Sequence, residues 1–211
     1  LIEQKSCLGG SATGGLVTPL MLYGIYARDG TKVISGNLDR IFKNINNHSD
    51  YSFNPEVLKY NLDKLLLAQN VDLLFNTFIY DIEQQDGRIQ NIIAVNKSGI
   101  TKFNAKVFID ATGDAAIAYK ANVPCELGRK SDGMTQATTL RFNLGNVDVT
   151  KARNYMNSEA GSKDFKKIIE NYNKNTDLEI LDTDGFQNFI IDGRDNESAF
   201  NCPRIIGINA T

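Results

Sequence analysis

Histidine and cysteine are scarce in this chain of 211 residues, and that scarcity excludes several kinds of site. His48 is the only histidine, so a histidine triad, a histidine relay and a metal site with several histidine ligands are excluded. Cys7, Cys125 and Cys202 are widely spaced and form neither a C-x-x-C redox pair nor a zinc-ligand pattern. We expect free thiols in a reducing cytoplasm, and His48 in a polar surface loop.

The chain also lacks an excess of either charge and lacks any long apolar run. Its 23 basic and 25 acidic residues give a net charge of −2, and the basic residues are dispersed. This argues against nucleic acid or an anionic membrane as a partner. No apolar stretch approaches the roughly 20 residues of a membrane span, and no secretory signal pattern begins the chain. P-loop, zinc and nucleophile-elbow motifs are absent too, and no catalytic residue can be named from the sequence.

The first informative segment is Leu1–Gly10, which has the pattern of a strand end followed by a glycine pair. Glu3 ends the strand, Lys5 follows, and Gly9 and Gly10 begin a loop of small residues. Ligands bind beyond the carboxyl ends of the strands in an open α/β sheet, where an acid can accept hydrogen bonds from a ribose. The alternatives are a solvated acid and an ordinary surface turn.

The second informative segment is an apolar strand that runs into a turn of small residues. We predict a buried parallel strand over Ala105–Ile109, then the turn, then a helix over Ala115–Ala121. Small residues let backbone N–H groups approach a phosphate. The acid of the turn, Asp114, is also a candidate N-cap for the helix, and the two roles are compatible.

The remaining periodicity predicts three early helices and an antiparallel meander. Apolar spacing favours helices over Leu16–Tyr26 and Leu38–Ile45, and Asn54-Pro55-Glu56 is typical of a capped helix start, with an end near Asn70. Alternation then predicts strands joined by turns at Asp86-Gly87 and Ser98-Gly99: Val71–Phe75, Thr77–Glu83, Ile89–Val95 and Ile100–Phe103. Beyond a polar hinge at Arg129–Gly133 we predict a strand (Thr138–Leu144), two helices (Val149–Tyr155, Lys163–Asn173) and short apolar segments (Phe186–Ile191, Arg204–Ile208).

Together these segments resemble the FAD-dependent oxidoreductase superfamily of the glutathione-reductase type, and especially its fumarate-reductase-like and FAD-dependent oxidoreductase branches. The resemblance is carried by Leu1–Gly10, by Val107–Asp114 and by the meander between a helix and an Ala-Thr-Gly-Asp turn. It implies a flavin-dependent oxidoreductase that uses FAD as cofactor and acts on an unidentified small-molecule substrate.

The resemblance also implies cofactor contacts. Glu3 would bind the adenosine ribose, with Lys5 beside it, and Phe78 would hold the adenine through backbone contacts. The glycine loop would contact the pyrophosphate or ribityl chain, and the later turn and its helix would face the pyrophosphate. The implied set is Glu3, Lys5, Gly9, Gly10, Thr13, Phe78, Ala111, Thr112, Gly113 and Asp114.

The fold expected from the resemblance is α/β, an incomplete doubly wound FAD-binding domain over residues 1–128 with the meander at about 71–104. Residues 129–211 would be part of a substrate domain. Members of the family open with a strand, a G-x-G-x-x-G turn and a helix, none of which precedes Leu1. We therefore expect a fragment that is inactive in isolation. We expect its open strands to be covered by a partner chain, which can be a second copy, or by rearrangement of the N-terminal loop. The alternative is a non-catalytic module that kept the fold and lost FAD.

Two arginines, Arg129 and Arg141, lie where a cation could bind a carboxylate substrate. Nothing in the sequence fixes them in a cleft, so we favour solvated surface arginines.

Overall fold

The computed structural model describes residues 1–20, 26–33, 36–42, 45, 52–177, 187–205 and 207. The predicted polar loop with His48 lies outside them. The helices are α1 (Asn37–Phe42), α2 (Pro55–Leu67), α3 (Ala116–Lys120), α4 (Val149–Met156) and α5 (Glu159–Asn175). The strands are β1 (Phe78–Gln85), β2 (Arg88–Asn96), β3 (Gly99–Asn104), β4 (Thr138–Gly145), β5 (Gln187–Ile191) and β6 (Arg194–Ile205).

These elements form two compact units, each with its own three-stranded antiparallel sheet. The first unit comprises Leu1–Cys7 and Leu67–Thr135, and the second comprises the described residues of Leu8–Leu66 and Gln136–Ala210. The molecule is thus a mixed helix-and-sheet protein. The units divide the chain differently from the predicted domains, 1–128 and 129–211, which stay a prediction.

The sheet of the first unit is the predicted meander, in the order β1-β2-β3. Asp86 and Gly87, with φ of 51° and 73°, form the two-residue turn between β1 and β2, because both positions need the left-handed conformation that this pair tolerates. The second turn is at Lys97–Ser98, one residue before its predicted position. Ile92 and Ala94 of β2 are buried on one face of the sheet.

Parallel pairing occurs in the first unit between the N-terminal segment and the residues before β1. The N–H of Leu74 donates to the carbonyl of Leu1, and the N–H of Glu3 donates to the carbonyl of Leu74, both at 2.9 Å. The predicted strand over Val71–Phe75 is wrong in extent, because only the bridge of Leu74 to Ile2 has strand geometry. The bridge between Ile2 and Leu74 is parallel, the strand direction typical of α/β folds.

The predicted buried strand over Ala105–Ile109 is wrong. The structure has no strand there, and Val107 and Ile109 are 75% and 86% exposed. A strand is stabilised by pairing with a neighbour. No strand in the described part of the chain pairs with this segment.

The second unit packs α1 and α2 around a small aromatic core and carries the sheet β4-β6-β5. Phe42 and Phe53 meet edge to face, with ring centroids 5.2 Å apart. The predicted cap of α2 is confirmed: the Asn54 side chain accepts the N–H of Glu56 at 3.0 Å, and Pro55 is the first helical residue. The Asn54 amide also donates to the carbonyl of Asp192 at 3.1 Å, which fixes the turn before β6.

Several predictions for the second unit need correction. The predicted helix from Leu16 is wrong over residues 16–20, which are irregular, and its residues 21–25 lie outside the described chain. The helix predicted over Leu38–Ile45 is present as α1, Asn37–Phe42, while residues 43 and 44 lie outside the described chain and Ile45 is in a turn. The strand over Thr138–Leu144 and the two later helices are confirmed as β4, α4 and α5. The long strand β6 was missed, since its first half is polar.

Candidate functional site

Glu3 lies half-buried on the parallel ladder of the first unit. One carboxylate oxygen, Oε1, accepts the backbone N–H of Lys5 at 2.8 Å, which holds the side chain against its own turn. The other oxygen accepts no hydrogen bond from the described residues. A half-buried carboxylate with an open oxygen can accept hydrogen bonds from vicinal hydroxyls, as the ribose of a nucleotide presents. The Lys5 side chain is exposed.

Phe78 directly follows Thr77, whose backbone is hydrogen-bonded to Glu3. The N–H of Thr77 donates to the carbonyl of Glu3 at 3.1 Å, and β1 begins at the next residue. Phe78 is 53% exposed and lies in register with Val95 and Ile100, of which Ile100 is 74% exposed. An apolar row therefore begins one residue from the backbone partner of Glu3, which is a surface suited to a flat aromatic ring.

The glycine-rich loop (Leu8–Thr18) belongs to the second unit. Gly9 has φ of 97°, and a Cβ there would lie 2.6 Å from Thr13 Cγ2 and 3.1 Å from Leu62 Cδ1. Only glycine fits this position, both for its conformation and for its space. Gly10 has φ of 51° but is exposed, with no atom within 4 Å of where its Cβ would be. Its backbone is open to a ligand.

Thr13 lies beneath the glycine-rich loop. Its side chain is fully buried, and its hydroxyl donates to the carbonyl of Leu8. Three backbone bonds close the loop around it: Ala12 to Gly9 and Gly15 to Gly10, both 3.0 Å, and Val17 to Ser11, 2.9 Å. The hydroxyl stabilises the loop from inside. A direct contact between it and the cofactor stays a prediction, and the burial argues against that contact.

The Ala-Thr-Gly-Asp turn is organised by Asp110, which sequence reasoning missed. The carboxylate of Asp110 accepts three backbone N–H groups: Thr112 at 3.0 Å, Ile117 at 3.0 Å and Ala118 at 2.9 Å. The Thr112 hydroxyl accepts a fourth, from Ala116 at 2.9 Å. One acid therefore closes the turn and caps α3. The signal in the sequence was the Asp-x-Thr spacing, which favours a side-chain turn onto the second residue.

The prediction that Asp114 caps the helix is wrong. The residue before α3 is Ala115, held in the left-handed conformation at φ of 53°, and no side chain caps the helix from that position. Asp114 is exposed, as are Ala111, Thr112 and Gly113. The α3 amides of Ala116, Ile117 and Ala118 are already bonded within the protein, so the helix start has few donors left for a phosphate. The open part of the turn is the backbone at Gly113, with φ of 85° and no atom near its Cβ position.

The pKa of Asp110 is lowered from the usual value of an aspartate. Burial alone would raise this pKa, but the hydrogen bonds from Ala118, Thr112 and Ile117 together outweigh burial. The carboxylate is therefore ionised near neutral pH, where it can accept every one of these bonds.

The two candidate substrate arginines have local partners. Arg129 forms a two-point ion pair with Asp132 in an exposed turn, with N···O distances of 3.1 and 2.6 Å. Arg141 of β4 is half-buried, donates to the carbonyl of Leu16 and lies over the ring of Phe189.

In the part of the chain that the structure describes, no group of three potential metal ligands occurs, and no helix has the length and apolarity to cross a membrane.

The first unit holds a half-buried carboxylate, an exposed apolar row and a glycine turn, and the second unit holds another glycine turn. These are features of a nucleotide-binding flavoprotein. The family model described as FAD dependent oxidoreductase matches residues 1–211, and the chain belongs to that family. Its members use FAD as cofactor, and the residues present fit the adenosine end: Glu3 offers an open carboxylate oxygen, and its backbone bonds to Thr77, one residue before the exposed Phe78. Neither a curated protein nor a solved structure matches the chain.

Proposed function

We propose that the protein is a flavin-dependent oxidoreductase in which the Glu3 carboxylate binds the ribose hydroxyls of the FAD adenosine. The observation that carries this proposal is the pairing of the Glu3 segment with the residues that lead into Phe78. This pairing supports a ribose acceptor and an adenine-sized apolar surface on one unit. FAD, when bound, supplies the electron-transfer chemistry.

Lys5 and the apolar row of Phe78, Val95 and Ile100 are the other parts of the proposed adenosine site. Lys5 holds the Glu3 carboxylate through its backbone N–H and leaves its own ammonium exposed, where it is free to attract a phosphate. The Phe78, Val95 and Ile100 row offers an apolar surface to the adenine.

For the phosphate and ribityl parts we propose backbone contacts from the two glycine turns. Gly10 and Gly113 both have positive φ and open space where a side chain would be, so either backbone can approach a ligand closely. Ala111, Thr112 and Asp114 border the second turn. Its order comes from Asp110, whose carboxylate shapes the turn without itself needing to touch FAD.

The adenosine contact is tested with ADP, which keeps the adenosine ribose and lacks the flavin. Isothermal titration of the protein with ADP and with FAD, each for the parent protein and for Glu3→Gln, measures the contact directly. We expect the substitution to weaken both ligands by a similar factor. Loss of FAD affinity with ADP affinity unchanged would place Glu3 at another part of the cofactor and reject the ribose assignment. No binding of either ligand by the parent protein would favour a non-catalytic module.

A further inference from the structure

Arg141 joins the sheet of the second unit to the glycine-rich loop. Its Nη2 donates to the carbonyl of Leu16, 125 residues away in sequence. The centre of its guanidinium lies 5.3 Å from the centroid of the Phe189 ring on β5. The side chain is half-buried, so this contact is shielded in part from water. An arginine stacked on one element and bonded to another restrains both.

The bonded carbonyl lies where the glycine-rich loop ends. Leu16 has φ of 57°, a left-handed conformation that is strained for a leucine. Its carbonyl also accepts the N–H of Thr18 at 3.1 Å, and its N–H donates to the carbonyl of Thr13 at 3.2 Å. A charged donor at this carbonyl stabilises a conformation that the chain would otherwise avoid.

The other end of the loop is held differently. Gly9 packs against Thr13 and Leu62, and Thr13 bonds to the carbonyl of Leu8. The loop is thus anchored on α2 at its start and on β4 at its exit, with the open backbone of Gly10 between the two anchors.

We propose that Arg141 is a positioning residue that holds the glycine-rich loop in its binding conformation from the sheet β4-β6-β5. This deepens the proposed function, and its consequence for FAD rests on that function. Arg141 acts on the cofactor through the loop, and it is therefore not assigned as a ligand of a substrate carboxylate. Changes in this sheet then reach the glycine-rich loop through the Arg141 side chain.

The holding contact is tested without any cofactor, by site-resolved amide hydrogen exchange on Arg141→Met. We expect the N–H groups of Leu16, Val17 and Thr18 to exchange about tenfold faster, as loss of one charge-assisted hydrogen bond implies. The N–H of Leu58, bonded to Asn54 at 3.1 Å in the same unit, reports global opening and should be unchanged. Unchanged loop exchange overturns the proposal, and so does an equal rise at Leu58, which would mean general destabilisation.

Two more variants separate the donor from the stacking. Arg141→Lys keeps a cation but loses the planar group, and Phe189→Leu keeps the arginine but removes the ring. We expect both to give intermediate exchange rates. Arg194→Met is the matched control, because Arg194 lies in the same sheet and pairs with Glu197 at 2.8 Å. A control variant that loosened the loop as much as Arg141→Met would overturn the specific role of Arg141.

FAD titration of the same variants tests the link to the proposed function separately. Arg141→Met should bind FAD several-fold more weakly than the Arg194→Met control, with the Lys variant between them. If the loop loosens while FAD affinity stays the same, Arg141 still holds the loop, and the cofactor role of the loop is overturned.

Discussion

The carboxylate of Asp110 accepts the backbone N–H of Ala118 at 2.9 Å, across eight residues of chain. Between them lie the turn of small residues and the first half of α3. The same oxygen also accepts the N–H of Ile117 at 3.0 Å. A five-residue helix has too few internal bonds to form by itself, so α3 depends on this acid. Asp110, the acid that organises the Ala-Thr-Gly-Asp turn, therefore lies immediately before that turn in the sequence.

Asp110→Ala should destabilise the protein more than Asp114→Ala. Removing Asp110 leaves three N–H groups without their acceptor, and the loss of a helix cap alone costs about 0.5–2 kcal/mol. Asp114 is exposed and caps nothing, so its substitution should lie within about 0.5 kcal/mol of the parent. Urea unfolding of the two variants, without FAD, measures both values. Equal destabilisation would show that Asp110 is not the main cap.

The stability contributed by Asp110 should disappear in acid. Its pKa is lowered in the folded protein, because the hydrogen bonds from Ala118, Thr112 and Ile117 outweigh the effect of burial. Below the unfolded pKa of about 3.9 the unfolded chain therefore binds more protons, and stability falls as pH falls through the folded pKa. Unfolding free energies measured from pH 6 downward should fall less steeply for Asp110→Asn than for the parent. Parallel curves would contradict the assignment.

Gly9→Ala should cost more stability than Gly10→Ala, although both glycines have positive φ. The left-handed conformation costs an alanine about 1–2 kcal/mol at either position. At Gly9 the new methyl would also lie 2.6 Å from Thr13 Cγ2, whereas nothing lies within 4 Å at Gly10. Thermal unfolding of the two variants in the absence of FAD gives the comparison. A larger loss at Gly10 would mean that the loop packs differently from this structure.

The elements that the sequence predicted well are those specified by neighbouring residues. The cap of α2 needs only Asn54 and the two residues after it, and the first hairpin needs only Asp86-Gly87 between alternating strands. The segment Ala105–Ile109 has the composition of a buried strand, but a strand also needs a partner, and composition says nothing about one. Strand β6 shows the reverse case: its polar first half hides a central strand paired on both sides.

The candidate site was predictable in its residue types more than in its contacts. Glu3 was recognisable as an acid at a strand end, and the hydrogen bond to Lys5 agrees with that position. Thr13 was expected to face a ligand, but it is buried beneath its own loop. Asp114 was expected to cap α3, but Asp110 caps that helix instead. Which polar side chain forms hydrogen bonds to the backbone of its own loop depends on the conformation of the folded loop. The spacing of residues in the sequence does not determine this choice.

The central claim is that Glu3 binds the adenosine ribose of FAD, and it is tested by FAD titration of Glu3→Gln. The amide keeps the size of the side chain and removes its charge. Loss of a hydrogen bond to a charged acceptor is worth about 1.5–3 kcal/mol, so the dissociation constant should rise roughly tenfold to a hundredfold.

Glu126→Gln is the matched control, since Glu126 is an exposed acid of the same unit whose one ion pair, to Lys130, is at the surface at 3.2 Å. The account predicts parent-like affinity for the control and weakened binding for Glu3→Gln, whose thermal stability falls below that of the parent only when FAD is present. Equal FAD affinity for the parent protein and Glu3→Gln would contradict the account, and Glu3 would then be no more than a surface acid at the end of a strand.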